Sequence, residues 1–203
     1  GTFAFNTKYA AVYEMYSKIY DIFTGGYLWL PPSFHLAQIV GISDKNTEVW
    51  YPLAGFNRAV IQNIIATRYN PNQGDRDRFI DIQLNPIVQF PQGYAVFSQR
   101  TTQRRNTSLQ DLNVVRLVVY IERALKNFCR NYIFELNDAQ TWGEISTKIN
   151  EFLSNIKDRR GLTNFEVKVG ATALDIKMRR VIVNITLDPI RAIEQIQLNF
   201  FIL

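Results

Sequence analysis

Residues 114–130 constrain this chain most. Val114, Leu117, Val118, Ile121, Leu125 and Phe128 recur at helical spacing, which predicts a helix from about Val114 to Arg130 with one side buried. At 100° per residue, Arg116, Arg123, Lys126 and Arg130 fall within about 80° of one another on the opposite side. So wide an apolar stripe needs a second layer, and the following residues offer one. Thr141-Trp142-Gly143-Glu144 has the capping-box pattern, the Thr bonding the N3 amide while the Glu reaches back. Ile145, Ile149, Phe152, Leu153 and Ile156 make the buried face of that second helix. Lys157, Arg159 and Arg160 suit the negative end of its dipole, and Gly161 suits the C′ position.

Strands follow. Phe165–Val169 is one; in the next, Val181, Val183, Ile185 and Leu187 alternate with Ile182, Asn184 and Thr186 until Asp188-Pro189. One helical turn is expected over Arg191–Gln195, and then a terminal strand over Ile196–Leu203. An apolar, uncharged strand at a chain end needs a sheet edge, its own or another molecule's.

The first half is more finely divided. Tyr9–Tyr20 fits strand or helix, whereas Tyr27–Leu30, after the Gly25-Gly26 turn, reads as a strand. A helix is expected from Phe34 to about Asp44, with Leu36, Ala37, Ile39 and Val40 inward. Pro52-Leu53-Ala54-Gly55 separates Val49-Trp50-Tyr51 from an apolar run over Val60–Ala66. A short helix is expected from Asp75 through Leu84, then strands Ile87–Phe90 and Tyr94–Phe97 around Pro91-Gln92-Gly93. The fold class is therefore α/β to α+β, mixed sheets flanked by amphipathic helices. The expected division is residues 1–90, part of an α/β domain, and residues 91–203, an α+β domain.

Composition narrows the function. With one His and one Cys, a zinc site of the usual Cys/His type is excluded, and Cys129, within helical sequence, reads as a structural thiol. No stretch approaches the roughly 18 apolar residues of a membrane helix. The net charge of +5 is uneven: residues 100–160 carry 11 basic and 7 acidic groups, while residues 1–99 balance at 7 and 7. Such a field suits an acidic partner surface but is mild for nucleic acid.

Catalytic signals are weak. His35 lies two residues from Ser33, but a triad needs convergence in space and an orienting carboxylate, so His35 reads as structural. Asp75, Asp77 and Asp81 alternate with Arg76 and Arg78 as solvated ion pairs do, without the distal ligands of a calcium loop. No glycine pattern of a phosphate-binding loop occurs. The basic stripe reads first as a solvated helix face, second as a dock for an acidic protein surface, and third as a nucleic-acid contact. Aromatic residues that would stack bases are missing near it.

The order of short signatures resembles the conserved portion of contractile-tail sheath proteins of myophages and related injection devices. These are Ala10-Ala11-Val12-Tyr13, Leu30-Pro31-Pro32-Ser33, Val49-Trp50-Tyr51-Pro52-Leu53-Ala54-Gly55 and Leu84-Asn85-Pro86-Ile87. Phe90-Pro91-Gln92-Gly93 leading to Arg100-Thr101, Leu112-Asn113-Val114-Val115-Arg116-Leu117, Phe134-Glu135-Leu136-Asn137-Asp138, Trp142 and Asp188-Pro189-Ile190 complete the series. The resemblance implies a non-enzymatic subunit without cofactor that polymerises around a tail tube and contracts. The implied partners are other copies of the chain, the tube protein, and baseplate and tail terminator proteins, with no nucleic acid and no membrane insertion. The implied location is the virion tail, assembled in the host cytoplasm. Strand exchange between subunits would fall on Ile196, Leu198, Phe200, Phe201 and Ile202. Tube or subunit contacts would fall on Arg116, Arg123, Lys126, Arg130 and Arg191. A small α/β enzyme or ligand-binding domain and a basic nucleic-acid-binding domain are the rival readings.

Overall fold

The computed structural model describes residues 6–194, 197 and 198. Its strands are β1 (Val12–Glu14), β2 (Ser17–Asp21), β3 (Gly26–Leu30), β4 (Val60–Ile61), β5 (Ile64–Thr67), β6 (Leu84–Phe90), β7 (Gly93–Val96), β8 (Leu162–Gly170) and β9 (Ile182–Pro189). The helices are α1 (Pro32–Asn46), α2 (Gln73–Asp81), α3 (Leu112–Cys129), α4 (Ala139–Asp158) and α5 (Ala173–Lys177). The fold is mixed, with helices against three small sheets, in the expected class.

The ambiguous run Tyr9–Tyr20 is two strands belonging to different sheets. β1 pairs in parallel with β6, and β6 continues antiparallel to β7 and then β4. β2 sits between β3 and β5 in an antiparallel sheet whose edge strand leaves Tyr27, Leu28 and Trp29 exposed. α1 starts on Pro32, whose ring presets the helical φ where no N–H bond is lost. Its inward face carries His35 where Ala37 was expected. α2 is capped by reciprocal bonds between Asn72 and Asp75, and it stops at Asp81 instead of reaching Leu84. Leu84 and Asn85 begin β6, because pairing with β1 satisfies a backbone that Pro86 bars from a helix. The β6–β7 hairpin pairs Phe90 with Gly93 and so runs across residues 90 and 91.

Two cores form. The first gathers Met15, Leu36, Ile39, Leu53, Ile61, Ile87 and Val96 between α1 and the four-stranded sheet. The second lies among α3, α4 and the β8–β9 hairpin, where Leu117, Ile121, Ile145, Ile149, Leu153 and Ile156 are buried. Phe165, Val167, Val183, Ile185 and Leu187 pack against it from one hairpin face, as period-2 alternation requires. Trp50, from the first half of the chain, is buried in the second core.

Both ends of α4 differ in detail from expectation. Its N-cap is Asp138, which accepts from the Thr141 amide at 2.9 Å, so Thr141 lies within the first turn. The acid one turn earlier takes the cap because its carboxylate also answers the positive helix end. At the other end Arg160 has φ +64°, while Gly161 has no positive φ. Gly161 N–H donates to Ile156 O at 2.9 Å and Arg160 N–H to Lys157 O at 2.9 Å, the pair of bonds of a Schellman motif. Glycine serves here by close approach: a Cβ at residue 161 would lie 2.5 Å from Ile156 Cγ2 and 3.2 Å from Trp50 Cε2.

Residues 191–194 form no helical turn. Their side chains are tied to other parts of the molecule, as described below. Leu198 is 72% exposed and lies in no strand; Ile196, Phe200, Phe201 and Ile202 lie outside the described residues.

Candidate functional site

β8 and β9 form a two-stranded sheet whose outer edges have no strand partner among the described residues. One face of the hairpin covers α4. The other carries Asn164, Glu166, Lys168, Asn184 and Thr186 toward solvent, with Lys168 and Glu166 paired at 2.8 Å. The chain leaves β9 at Pro189, and Ile190 N–H then bonds Gly161 O at 3.2 Å. The expected strand-exchange residues lie beyond that point.

The basic residues divide into two sets. Arg116 Nη2 bridges both carboxylate oxygens of Asp44 on α1, at 2.5 and 2.6 Å. This pair joins α3 to the first core, and burial of the neighbouring Tyr13 holds its phenol far above the usual range. Arg191 Nε donates to Asp111 Oδ2 at 2.7 Å. By contrast, Arg123, Lys126 and Arg130 are exposed and make no ion pair among the described residues. The loop after them exposes Ile133, Phe134 and Leu136, with Phe134 held at φ +76°. Basic and apolar exposed residues therefore follow one another at the end of α3.

A buried polar joint connects the halves. Gln99 accepts from Leu53 N–H at 3.2 Å and donates to Asn113 Oδ1 at 2.9 Å, and Asn113 donates to Trp50 O at 3.2 Å. Asn85 bonds the backbone of Arg100 twice, at 2.6 and 2.8 Å, and Val12 O at 2.9 Å. Every amide group in this joint has a partner, which makes burial tolerable and the geometry specific.

The would-be catalytic groups do not assemble. His35 Nε2 lies 2.5 Å from Ser17 Oγ, not near Ser33, and the pair is buried. His35 Nδ1 has no partner among the described residues, so no carboxylate orients the ring. Burial lowers the His35 pKa and raises that of the half-buried Cys129 thiol. Asp75 is engaged in the α2 cap and with Tyr69, and Asp77 with Gln73. Among the described residues no three His, Cys, Asp or Glu side chains are placed to hold a metal. No described helix is long and apolar enough to cross a membrane.

Residues 104–202 match the model of the phage tail sheath C-terminal domain. That match takes in just under half of the chain. Similarity to sheath proteins covers the rest of the chain as well. The tail sheath protein of Vibrio phage KVP40 is 28% identical over 199 residues, 96% of this chain and 30% of that protein. The tail sheath protein of Enterobacteria phage T4 is 25% identical over 202 residues, 98% of this chain and 31% of that protein. The chain thus spans about three tenths of the length of these sheath relatives. Among solved structures, the helical sheath of the anti-feeding prophage in its contracted state superposes with a TM-score of 0.87. That match has 23% identity and covers 99% of this chain and 59% of that one. The contracted sheath complex of an extracellular contractile injection system also gives 0.87, at 24% identity, covering 97% and 57%. The described residues share the fold of these sheath structures, and the polar joint lies among the sheath-like landmarks: Trp50, Leu53, Asn85, Arg100 and Asn113 each belong to one.

Proposed function

We propose that the chain is the conserved core of a contractile sheath subunit, which polymerises around a tube and shortens by rearranging subunit contacts to drive injection. The observation that carries this reading is the open-edged β8–β9 hairpin, followed in sequence by an apolar run. A two-stranded sheet is marginal alone and gains by accepting further strands. Residues Ile196, Leu198, Phe200, Phe201 and Ile202 would add to such an edge on a neighbouring copy. Backbone bonds of that kind tether subunits while the bodies rotate.

Work would come from the interfaces, since the sequence has no phosphate-binding glycine loop. Two packings that differ by a few kcal/mol per subunit suffice when many subunits switch together. Arg123, Lys126 and Arg130, with Phe134 beside them, would meet an acidic tube surface. Arg116 and Arg191, engaged within the chain, would contribute by holding elements in place. Baseplate and terminator proteins would cap the ends of the polymer, in a virion tail assembled in the host cytoplasm. The subunit would be non-enzymatic. Its two parts, residues 1–90 and 91–203, would pack as one body.

Electron microscopy of the protein, expressed with whatever residues flank these 203 in its gene and with its tube partner, tests the reading. Helical tubes or stacked rings are expected. A strictly monomeric intact protein would overturn it.

A further inference from the structure

The segment that leads to the chain end is not loose where it departs. Asp111 occupies the N-cap position of α3, yet its side chain makes no cap bond. Each oxygen goes instead to a different guanidinium: Oδ1 to Arg100 Nη1 at 3.0 Å and Oδ2 to Arg191 Nε at 2.7 Å. Arg100 Nη2 reaches on to Glu194 Oε2 at 2.6 Å. Arg191, Asp111, Arg100 and Glu194 thus form an alternating chain of four charges with no net charge. Its two inner members are sequestered, the Asp111 side chain being 4% exposed and that of Arg100 15%. Its two outer members lie on the departing segment, at 47% and 53%.

The inner pair is rigid for reasons independent of the segment. Both carbonyl and amide of Arg100 are bonded by buried Asn85, and Arg100 faces Asp111 in an isolated antiparallel bridge. An N-cap aspartate that forgoes its cap bond has had that interaction replaced by stronger, charge-assisted ones.

We propose that Asp111 and Arg100 are positioning residues that clamp the segment 190–194 at the start of α3, so that the apolar residues after it leave from a fixed point. Strand exchange with a neighbour then starts from a set origin and draws on a short free tether. This proposal rests on the strand-exchange reading for its purpose, but the clamp itself can be tested alone.

Trypsin cuts after Arg191 only if the segment detaches, so the cleavage rate at Arg191–Ala192 of the full chain measures the clamp. Asp111→Asn should raise that rate at least tenfold, with cleavage at the Arg179–Arg180 turn unchanged. Glu194→Gln removes only the outer, half-exposed link, cannot unfold α3, and should raise it two- to fivefold. Rates within twofold of the parent in both variants would overturn the clamp. Equal acceleration at both sites in Asp111→Asn, together with no change in Glu194→Gln, would assign Asp111 a purely structural role and overturn it too. A separate variant ending at Glu194 distinguishes the two ideas. If it assembles normally, strand exchange by the terminal residues is wrong whatever the protease reports.

Discussion

The indole N–H of Trp50 donates to the carbonyl oxygen of Arg159 at 3.1 Å, across 109 residues of sequence. The same contact is reinforced from both sides. Glu48 pairs with the Arg159 guanidinium, and Asn113 binds the Trp50 carbonyl. A loop of the first half thus inserts into the second core at the C-terminal end of α4. This join ties the two halves of the chain together.

Removing the indole should therefore cost more than an ordinary loop change. Trp50→Ala should destabilise by about 3–5 kcal/mol, the range for deleting a buried aromatic. Trp50→Phe keeps much of the volume but orphans the Arg159 carbonyl, and should cost about 1–3 kcal/mol. Urea unfolding of the three proteins checks both values. Equal stability of Trp50→Phe and the parent would mean the hydrogen bond is irrelevant.

The end of α4 yields a paired prediction of opposite sign. Arg160 carries the left-handed conformation, which costs a non-glycine residue about 1–2 kcal/mol. Arg160→Gly should relieve part of that and raise the melting temperature. Gly161→Ala would drive a methyl against Ile156 and Trp50 and should cost about 1–3 kcal/mol as overpacking. Calorimetry of both variants decides it, and the reverse ordering would refute the assignment of roles.

Much of the second core was legible because amphipathic periodicity states directly which face of a helix or strand is buried. Val114, Leu117, Ile121, Ile149 and Leu153 are inward as their spacing requires. The same periodicity is silent on what meets the other face. Arg116 and Arg123 share a stripe, yet only Arg116 finds Asp44, 72 residues away. The Gln99–Asn113 bond is equally hidden, since isolated amides give no local pattern until the chain brings them together. Capping signals misled by one turn where Asp138 and Thr141 competed, because each local rule is satisfied by either residue and the surrounding packing selects one.

The Ser17–His35 pair should make the molecule sensitive to mild acid. Burial lowers the His35 pKa, so the folded state holds the neutral ring while the unfolded chain gains a proton near the ordinary value of 6.5. The unfolded state then binds more protons, and stability rises with pH in this range. Full stability is expected above about pH 7 and a progressive loss below about pH 6.5. His35→Gln cannot gain that proton and should flatten the dependence. Denaturant midpoints measured at several pH values for both proteins test this; parallel curves would exclude His35 as the cause.

The two kinds of basic residue on α3 should separate stability from assembly. Arg116 reaches both oxygens of the exposed Asp44 through one nitrogen, so Arg116→Ala removes a partly screened ion pair between α3 and α1 and should cost about 0.5–1 kcal/mol. Arg123 and Lys126 touch no carboxylate among the described residues, and reversing both to Glu should change stability by no more than about 0.5 kcal/mol. If these two side chains face an acidic tube, that double reversal should nonetheless impair polymerisation on tubes and slow it further at low salt, where repulsion is least screened. Sedimentation of sheath on preformed tubes at two ionic strengths gives the readout. Normal assembly of the double variant would remove the α3 stripe from the tube interface and leave it a solvated face.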